Sequence, residues 1–206
     1  VISDTSFINS LSKKEMICGF AEILKHSIIK DKKFFNWLEK NSRLIFLKKN
    51  KELAYAIKKS CEIKMHFVTK DLNEKGLRMI LNFGHTFAHA IEVKNNYSKS
   101  ITHGEAVLTG MILAIKLSIL KKNCTYKILN QVRNLYVKNN LTHSLKNVSN
   151  TKWIQSLIPF LKSDNKNADD KINFLLLKDI GKADLPNKFK ISTSDLRRHC
   201  KTISQY

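Results

Sequence analysis

Glycine and proline are scarce in this chain of 206 residues, which holds six of the first and two of the second. With only Pro159 and Pro186 to interrupt hydrogen-bonded turns, helices meet few obstacles. The glycines, Gly19, Gly76, Gly84, Gly104, Gly110 and Gly181, nowhere form G-x-G or G-x-x-x-x-G-K. A backbone that approaches a pyrophosphate needs such closely spaced glycines, so no nucleotide cradle is expected within the chain. The four cysteines, Cys18, Cys61, Cys124 and Cys200, make no C-x-x-C pair. That spacing disfavours a cysteine zinc knuckle and a disulfide framework, and fits four thiols in a reducing, cytoplasmic setting. No uninterrupted apolar run approaches twenty residues and no signal-like segment opens the sequence, so neither a membrane span nor targeting is expected.

Arginine is scarce too. Basic residues outnumber acidic ones 37 to 17, giving a net charge of +20, but 32 of them are Lys and 5 are Arg, while Asn occurs 19 times. Nucleic-acid readers favour the planar, bidentate guanidinium, and the lysines are spread over nearly every segment without an aromatic stacking platform. The charge therefore reads as a chain-wide bias on solvated faces, and no nucleic-acid partner is expected.

Apolar residues recur at three-and-four spacing through most of the sequence, which predicts a mainly α-helical chain. Ser12-Lys13-Lys14-Glu15 has the form of a capping box, and Met16, Phe20, Ile23, Leu24 and Ile28 follow as a stripe to about Ile29. Further helices are predicted over 32–40, 50–69, 77–94, 104–121, 125–138 and 150–162. A polar loop over 163–171, a candidate mobile element, leads into one lone strand over Ile172–Leu177. A single unit over 1–206 is expected, and the start at Val1 reads as a segment of a longer polypeptide.

Where Lys is the default surface residue, stretches without it mark another constraint. Three stand out, 15–24, 76–93 and 100–115. Burial explains their apolar positions but not their polar ones. In 76–92, Arg78, Asn82, His85 and His89 fall at i, i+4, i+7 and i+11, which places them on one shared helical face. Guanidinium, amide and imidazole groups bind anions or metals and move protons, although a solvated face or satisfied core histidines would give the same pattern. His103 stands at the start of an apolar helix, where capping alone would account for it. Glu22 and Lys25, three apart amid apolar residues, are either a surface pair or a carboxylate that needs a partner or a metal. Glu22, His85 and His103 together could supply a zinc site with an open position, while His85-x-x-x-His89 lacks the Glu of a zinc peptidase helix.

Three blocks, GFAEILKH at 19–26, DLNEKGLRMILNFGHTFAHAIE at 71–92 and HGEAVLTGM at 103–111, resemble those of the 3-dehydroquinate synthase family, sugar phosphate cyclases of the shikimate pathway. The resemblance runs in order from Val1 to about Ser118, with a weaker match at SDNKNADDKINFLLLKDIG. It implies the helical, C-terminal metal- and substrate-binding domain of a two-domain enzyme, without the N-terminal dinucleotide-binding α/β domain. It further implies zinc, for which cobalt may substitute, on Glu22, His85 and His103, and NAD bound mainly by the other domain. Lys25 would reach substrate hydroxyls, Lys64 and Arg78 the substrate carboxylate, and Asn82 and His89 the leaving phosphate, while Lys166 matches the second Lys of the family's late loop. Asp71 and Glu74 fit the family pattern, whereas Leu72, Ala88 and Asn165 depart from it.

The chemistry so implied converts 3-deoxy-D-arabino-heptulosonate 7-phosphate to 3-dehydroquinate and phosphate, by transient oxidation with NAD, elimination, re-reduction and aldol closure. A sugar-acid phosphate substrate, the N-terminal NAD-binding domain and a homodimeric enzyme are the implied partners, and this chain alone is expected to be inactive. Valiolone- or inosose-type cyclases share that sequence of steps, and more distant metal-dependent alcohol dehydrogenases share the architecture. A basic helical binding module or a decayed fragment would need none of the three metal-ligand candidates.

Overall fold

The computed structural model describes residues 4–98, 100–162 and 171–206. After a 3-10 turn at Thr5–Ser10, the helices α1 (Lys13–Lys30), α2 (Lys32–Phe46) and α3 (Asn50–Lys70) follow in close succession. The capping box predicted for α1 is formed: Glu15 N donates to Ser12 Oγ, and Ser12 N donates to Glu15 Oε2. Asp31 ends α1 and caps α2, its Oδ1 accepting from Phe34 N at 2.9 Å, so a single residue turns the chain between the two helices. The second helix runs to Phe46, beyond the expected end at 40, because Leu44 to Phe46 prolong its apolar face.

The expected continuous helix over 77–94 is not formed. A 3-10 turn, Leu77–Asn82, ends at Phe83, and α4 (His85–Lys94) starts afresh after Gly84, whose φ of 82° is left-handed. Next come α5 (His103–Leu120), α6 (Tyr126–Lys138), a 3-10 turn at Thr142–Leu145 and α7 (Thr151–Leu157). The helix expected to 162 changes to 3-10 geometry at Ile158, next to Pro159, which has no N–H to donate to an α-helical bond.

The lone late strand is corrected as well. Lys171–Phe174 (β1) pairs antiparallel with Phe189–Ser192 (β4), Ile172 opposite Ile191, while Leu177–Asp179 (β2) pairs with Lys182–Ala183 (β3) across a turn at Gly181. The chain ends in α8 (Thr193–Gln205), which the sequence reading did not include.

α5 is the axis of the core, with thirteen of its eighteen residues buried. By length and apolar composition it could cross a membrane, but 72% of it is buried inside the protein, the behaviour of a core helix. Two close approaches set its neighbours. A Cβ on Gly110 would lie 2.2 Å from Gly84 O, and one on Gly104 would lie 2.4 Å from Cys18 Cα, so α4 and α1 press directly on the backbone of α5. All four cysteines are free thiols, as expected.

Candidate metal and substrate site

Those close approaches bring three helices together at one point. His85 is the first residue of α4, His103 the first of α5, and Glu22 lies midway along α1 facing both. Thr102 caps α5: Glu105 N donates to its Oγ1 at 3.3 Å, and Glu105 Oε2 accepts from Thr102 N at 2.8 Å. The cap that His103 was available to provide is thus already made, and its ring is left to other work.

One ligand atom from each of Glu22, His85 and His103 lies within 4.8 Å of the others. His85 Nε2 stands 3.8 Å from Glu22 Oε1. A tetrahedral ion with bonds of about 2.0–2.2 Å would hold such atoms roughly 3.4 Å apart, so the three side chains would draw inward to take one up. The donors fit a metal in a second respect. Glu22 Oε2 accepts from Lys25 Nζ at 2.7 Å, but Oε1 is enclosed without a hydrogen-bond partner among the described residues. His85 Nδ1 lies 3.4 Å from Phe83 O and His103 Nδ1 lies 2.9 Å from Glu92 Oε1, which leaves Nε2 of each ring available.

Electrostatics keeps Glu22 and His85 in the ligating form. Burial, followed by the charge of Lys25, pushes the His85 pKa down to about 4, so its imidazole is neutral near pH 7, as a metal ligand must be. Burial alone would raise the Glu22 pKa. Lys25 and the nearby imidazoles outweigh it and hold the carboxyl below its ordinary value. Lys25, almost wholly buried, has its own pKa lowered by desolvation despite the ion pair.

Beside the triad opens a pocket of about 410 Å³, lined by Asn82, His85, Thr86 and His89 on one side and by Asn173 of β1 and Asn187, in the turn before β4, on the other. Arg78, Asn82, His85 and His89 do not share one helical face, because the chain changes geometry at Phe83–Gly84. The turn nevertheless keeps Asn82 and His89 on the pocket, with the His85 and His89 rings 5.6 Å apart, edge to face. Arg78 points elsewhere: its Nη1 donates to Leu72 O at 2.9 Å and its Nε lies 3.8 Å from Glu74 Oε2. Glu74 also accepts from Asn82 Nδ2 at 2.8 Å, so one carboxylate holds both anion-binding candidates. Asp71 shapes this loop by accepting from the backbone N–H groups of Lys75, Gly76 and Arg78.

Lys64 is exposed on α3, close enough to act electrostatically on Lys25 and His26. His26 and Ser60, 2.7 Å apart, join α1 to α3 one turn before Lys64. Lys166 and most of the loop predicted over 163–171 lie outside the described residues. Three participants escaped the sequence reading. Glu92 lies in a Lys-free stretch seven residues after His85, a signal that could have been used, whereas Asn173 sits in the paired strand β1 and Asn187 is tied to it across the turn before β4, Asn173 Nδ2 donating to Asn187 Oδ1 at 2.6 Å.

A family model described as 3-dehydroquinate synthase C-terminal matches residues 19–167. The chain belongs to that family. A 3-dehydroquinate synthase of Pelagibacter ubique is 42% identical over 196 residues, covering 95% of this chain and 53% of the relative. The chain thus spans about half the length of the curated relatives it matches. Among solved structures, 2-epi-5-epi-valiolone synthase of Streptomyces hygroscopicus, with NAD⁺ and Zn²⁺ bound, superposes with a TM-score of 0.78 at 23% identity, covering 98% of this chain and 54% of that one. A 2-deoxy-scyllo-inosose synthase complexed with carbaglucose-6-phosphate, NAD⁺ and Co²⁺ also gives 0.78 at 24% identity, covering 96% and 55%. At these identities the likeness establishes the fold, that of the sugar phosphate cyclases, matched over about half of each neighbour.

Proposed function

We propose that this chain is the metal- and substrate-binding part of a 3-dehydroquinate synthase, a lyase that converts 3-deoxy-D-arabino-heptulosonate 7-phosphate to 3-dehydroquinate and phosphate. The observation that carries this reading is the convergence of Glu22, His85 and His103, with Oε1 of Glu22 enclosed and accepting no hydrogen bond from the described residues, at the edge of a pocket walled by Asn82 and His89. Glu22, His85 and His103 would hold zinc, or cobalt in its place, and the bound ion would supply Lewis acidity and orientation at a substrate oxygen. NAD, held mainly by a dinucleotide-binding half of the enzyme, would supply the hydride acceptor.

The chain's own residues divide the substrate between them. Lys25, held at Glu22 Oε2, sits where a ring hydroxyl beside the metal can donate to that carboxylate or accept from the ammonium. Lys64 and Arg78 would take the carboxylate end, Arg78 through its bidentate fork. Asn82 and His89 would face the phosphate and stabilise charge as it departs, and Lys166 is a further candidate for contact with the substrate. Glu74 now occupies both Asn82 and Arg78, so an anionic substrate would compete with a carboxylate for two donors, which favours a ligand of higher charge.

We place the reaction in the cytoplasm, in a homodimeric enzyme, and expect this chain alone to have no turnover. Having both Lys64 and Arg78 as candidates for a carboxylate favours an acid substrate over those of the valiolone- and inosose-type cyclases that share the fold. Zinc stoichiometry by elemental analysis, on the chain and on His103→Ala with circular dichroism as the folding control, tests the reading. Near one zinc per chain, lost in the folded variant, is expected. A folded wild-type chain that takes up no zinc overturns it.

A further inference from the structure

Glu92 belongs to no ligand set, yet its carboxylate is engaged by one member of the triad. Its Oε1 lies 2.9 Å from His103 Nδ1, and its side chain is 16% exposed. We propose that Glu92 is the positioning residue of the metal centre, fixing which nitrogen of His103 carries the proton and where the other one points. The inference rests on the metal reading above. An ionised carboxylate only accepts, so the nitrogen facing it, Nδ1, carries the hydrogen and the lone pair falls on Nε2. A carboxylate behind a ligating imidazole also raises the basicity of the nitrogen turned to the metal.

The two imidazoles differ in their need for such a holder. His85 is 14% exposed and oriented by its surroundings and the Phe83 carbonyl, whereas the His103 side chain is 48% exposed at the very start of α5. The more exposed imidazole of the pair is therefore the one with a carboxylate behind it. Glu92 is also placed against the ordinary preference of helices, since it sits in the last turn of α4, where the helix dipole disfavours negative charge. Its distance from His85 matters as well. Seven residues separate them on one short helix, so α4 supplies one ligand at its start and the support for another near its end.

The test measures zinc dissociation constants by competition with a chromophoric chelator, on the 206-residue chain and on Glu92→Ala and Glu92→Gln, with visible spectra of the cobalt-loaded proteins. Glu92→Ala is expected to weaken zinc binding about 10- to 100-fold. Glu92→Gln should lose less, because its amide oxygen still accepts from Nδ1 but carries no charge, and it should shift the cobalt bands. Metal-free melting temperatures should match the wild type. Affinities within twofold of wild type for both variants would overturn the positioning role, as would losses that merely track reduced stability of the metal-free chain. A wild-type chain that binds no zinc would instead sink the metal reading, and this inference with it.

Discussion

Replacing Gly110 by alanine sets two known effects against each other and tests what holds the site together. Within a helix interior, Gly→Ala ordinarily stabilises by about 1 kcal/mol, because glycine loses more backbone freedom on folding. At Gly110, however, the added Cβ would lie 2.2 Å from Gly84 O and 3.0 Å from Ala88 N. Both are backbone atoms, so no side chain can rotate aside, and α4 would have to retreat by roughly 1 Å from α5 to restore ordinary contact. Overpacking of this kind costs about 1–3 kcal/mol, and a backbone overlap belongs at the upper end. The net expectation is a loss of about 2 kcal/mol, or roughly 4–8 °C in melting temperature for a chain of this size. Gly19 is the matched control. It lies in α1 with nothing within 4 Å of an added Cβ, so Gly19→Ala should raise the melting temperature by about 2–4 °C. Because α4 carries His85 immediately after Gly84, Gly110→Ala should also weaken zinc binding, while Gly19→Ala should leave it unchanged. A Gly110→Ala chain that melts at or above wild type, with wild-type zinc affinity, would refute the claim that this contact sets the ligand geometry.

Two further outcomes follow from buried titratable groups. Burial, ahead of the Lys25 charge, holds His26 and His85 at about 4, against about 6.5 in an unfolded chain, so between those values the unfolded state binds more protons. Stability of the metal-free chain should therefore fall as pH drops from 6.5 to 4, each imidazole contributing up to about 1.4 kcal/mol per pH unit; thermal melts should show the slope, and a folded His26→Asn chain that keeps it in full would refute the assignment. Lys116 is fully buried in α5, donates to Val148 O at 2.5 Å, and has its pKa pushed down by desolvation to about 8. Its burial should make wild type gain stability as pH rises from about 8 to 10.5, a gain that Lys116→Met should abolish, and an unchanged alkaline profile in denaturant titrations would count against it.

The helical framework could be read from the sequence because its signals are local. Ser12 with Glu15 announces a cap, apolar residues at three-and-four spacing announce α1, α3, α5 and α6, and the scarcity of lysine marks where the chain turns inward. The ends of the site were harder to read. Gly84 lies inside an otherwise helical pattern, and its left-handed φ is decided by contact with Met111 and Gly110, which are distant in sequence. Periodicity therefore placed Arg78 on the face of His85, whereas the break turns it toward Glu74. The late strands were illegible for a related reason. β3 has two residues and β4 reads Phe-Lys-Ile-Ser, too short and too polar to signal alone, and each becomes a strand only by pairing with β2 or β1.

The exposure of the three metal-ligand candidates bears on what kind of metal they would hold. His85 lies deep, at 14%, while the side chains of Glu22 and His103 are 38% and 48% exposed. The triad is thus backed by protein on one side and open on the other. A structural zinc is closed by four protein ligands, and among the described residues no fourth His, Cys, Asp or Glu joins this group. Three ligands with one open face are the arrangement that admits a substrate oxygen, and the open face adjoins the pocket that His85 itself helps to line. The same reasoning bears on why the three candidates come from helix starts and a helix middle and not from loops: the close contacts of α5 with α1 and α4 fix their separations within the backbone, so a face left open between them would not collapse.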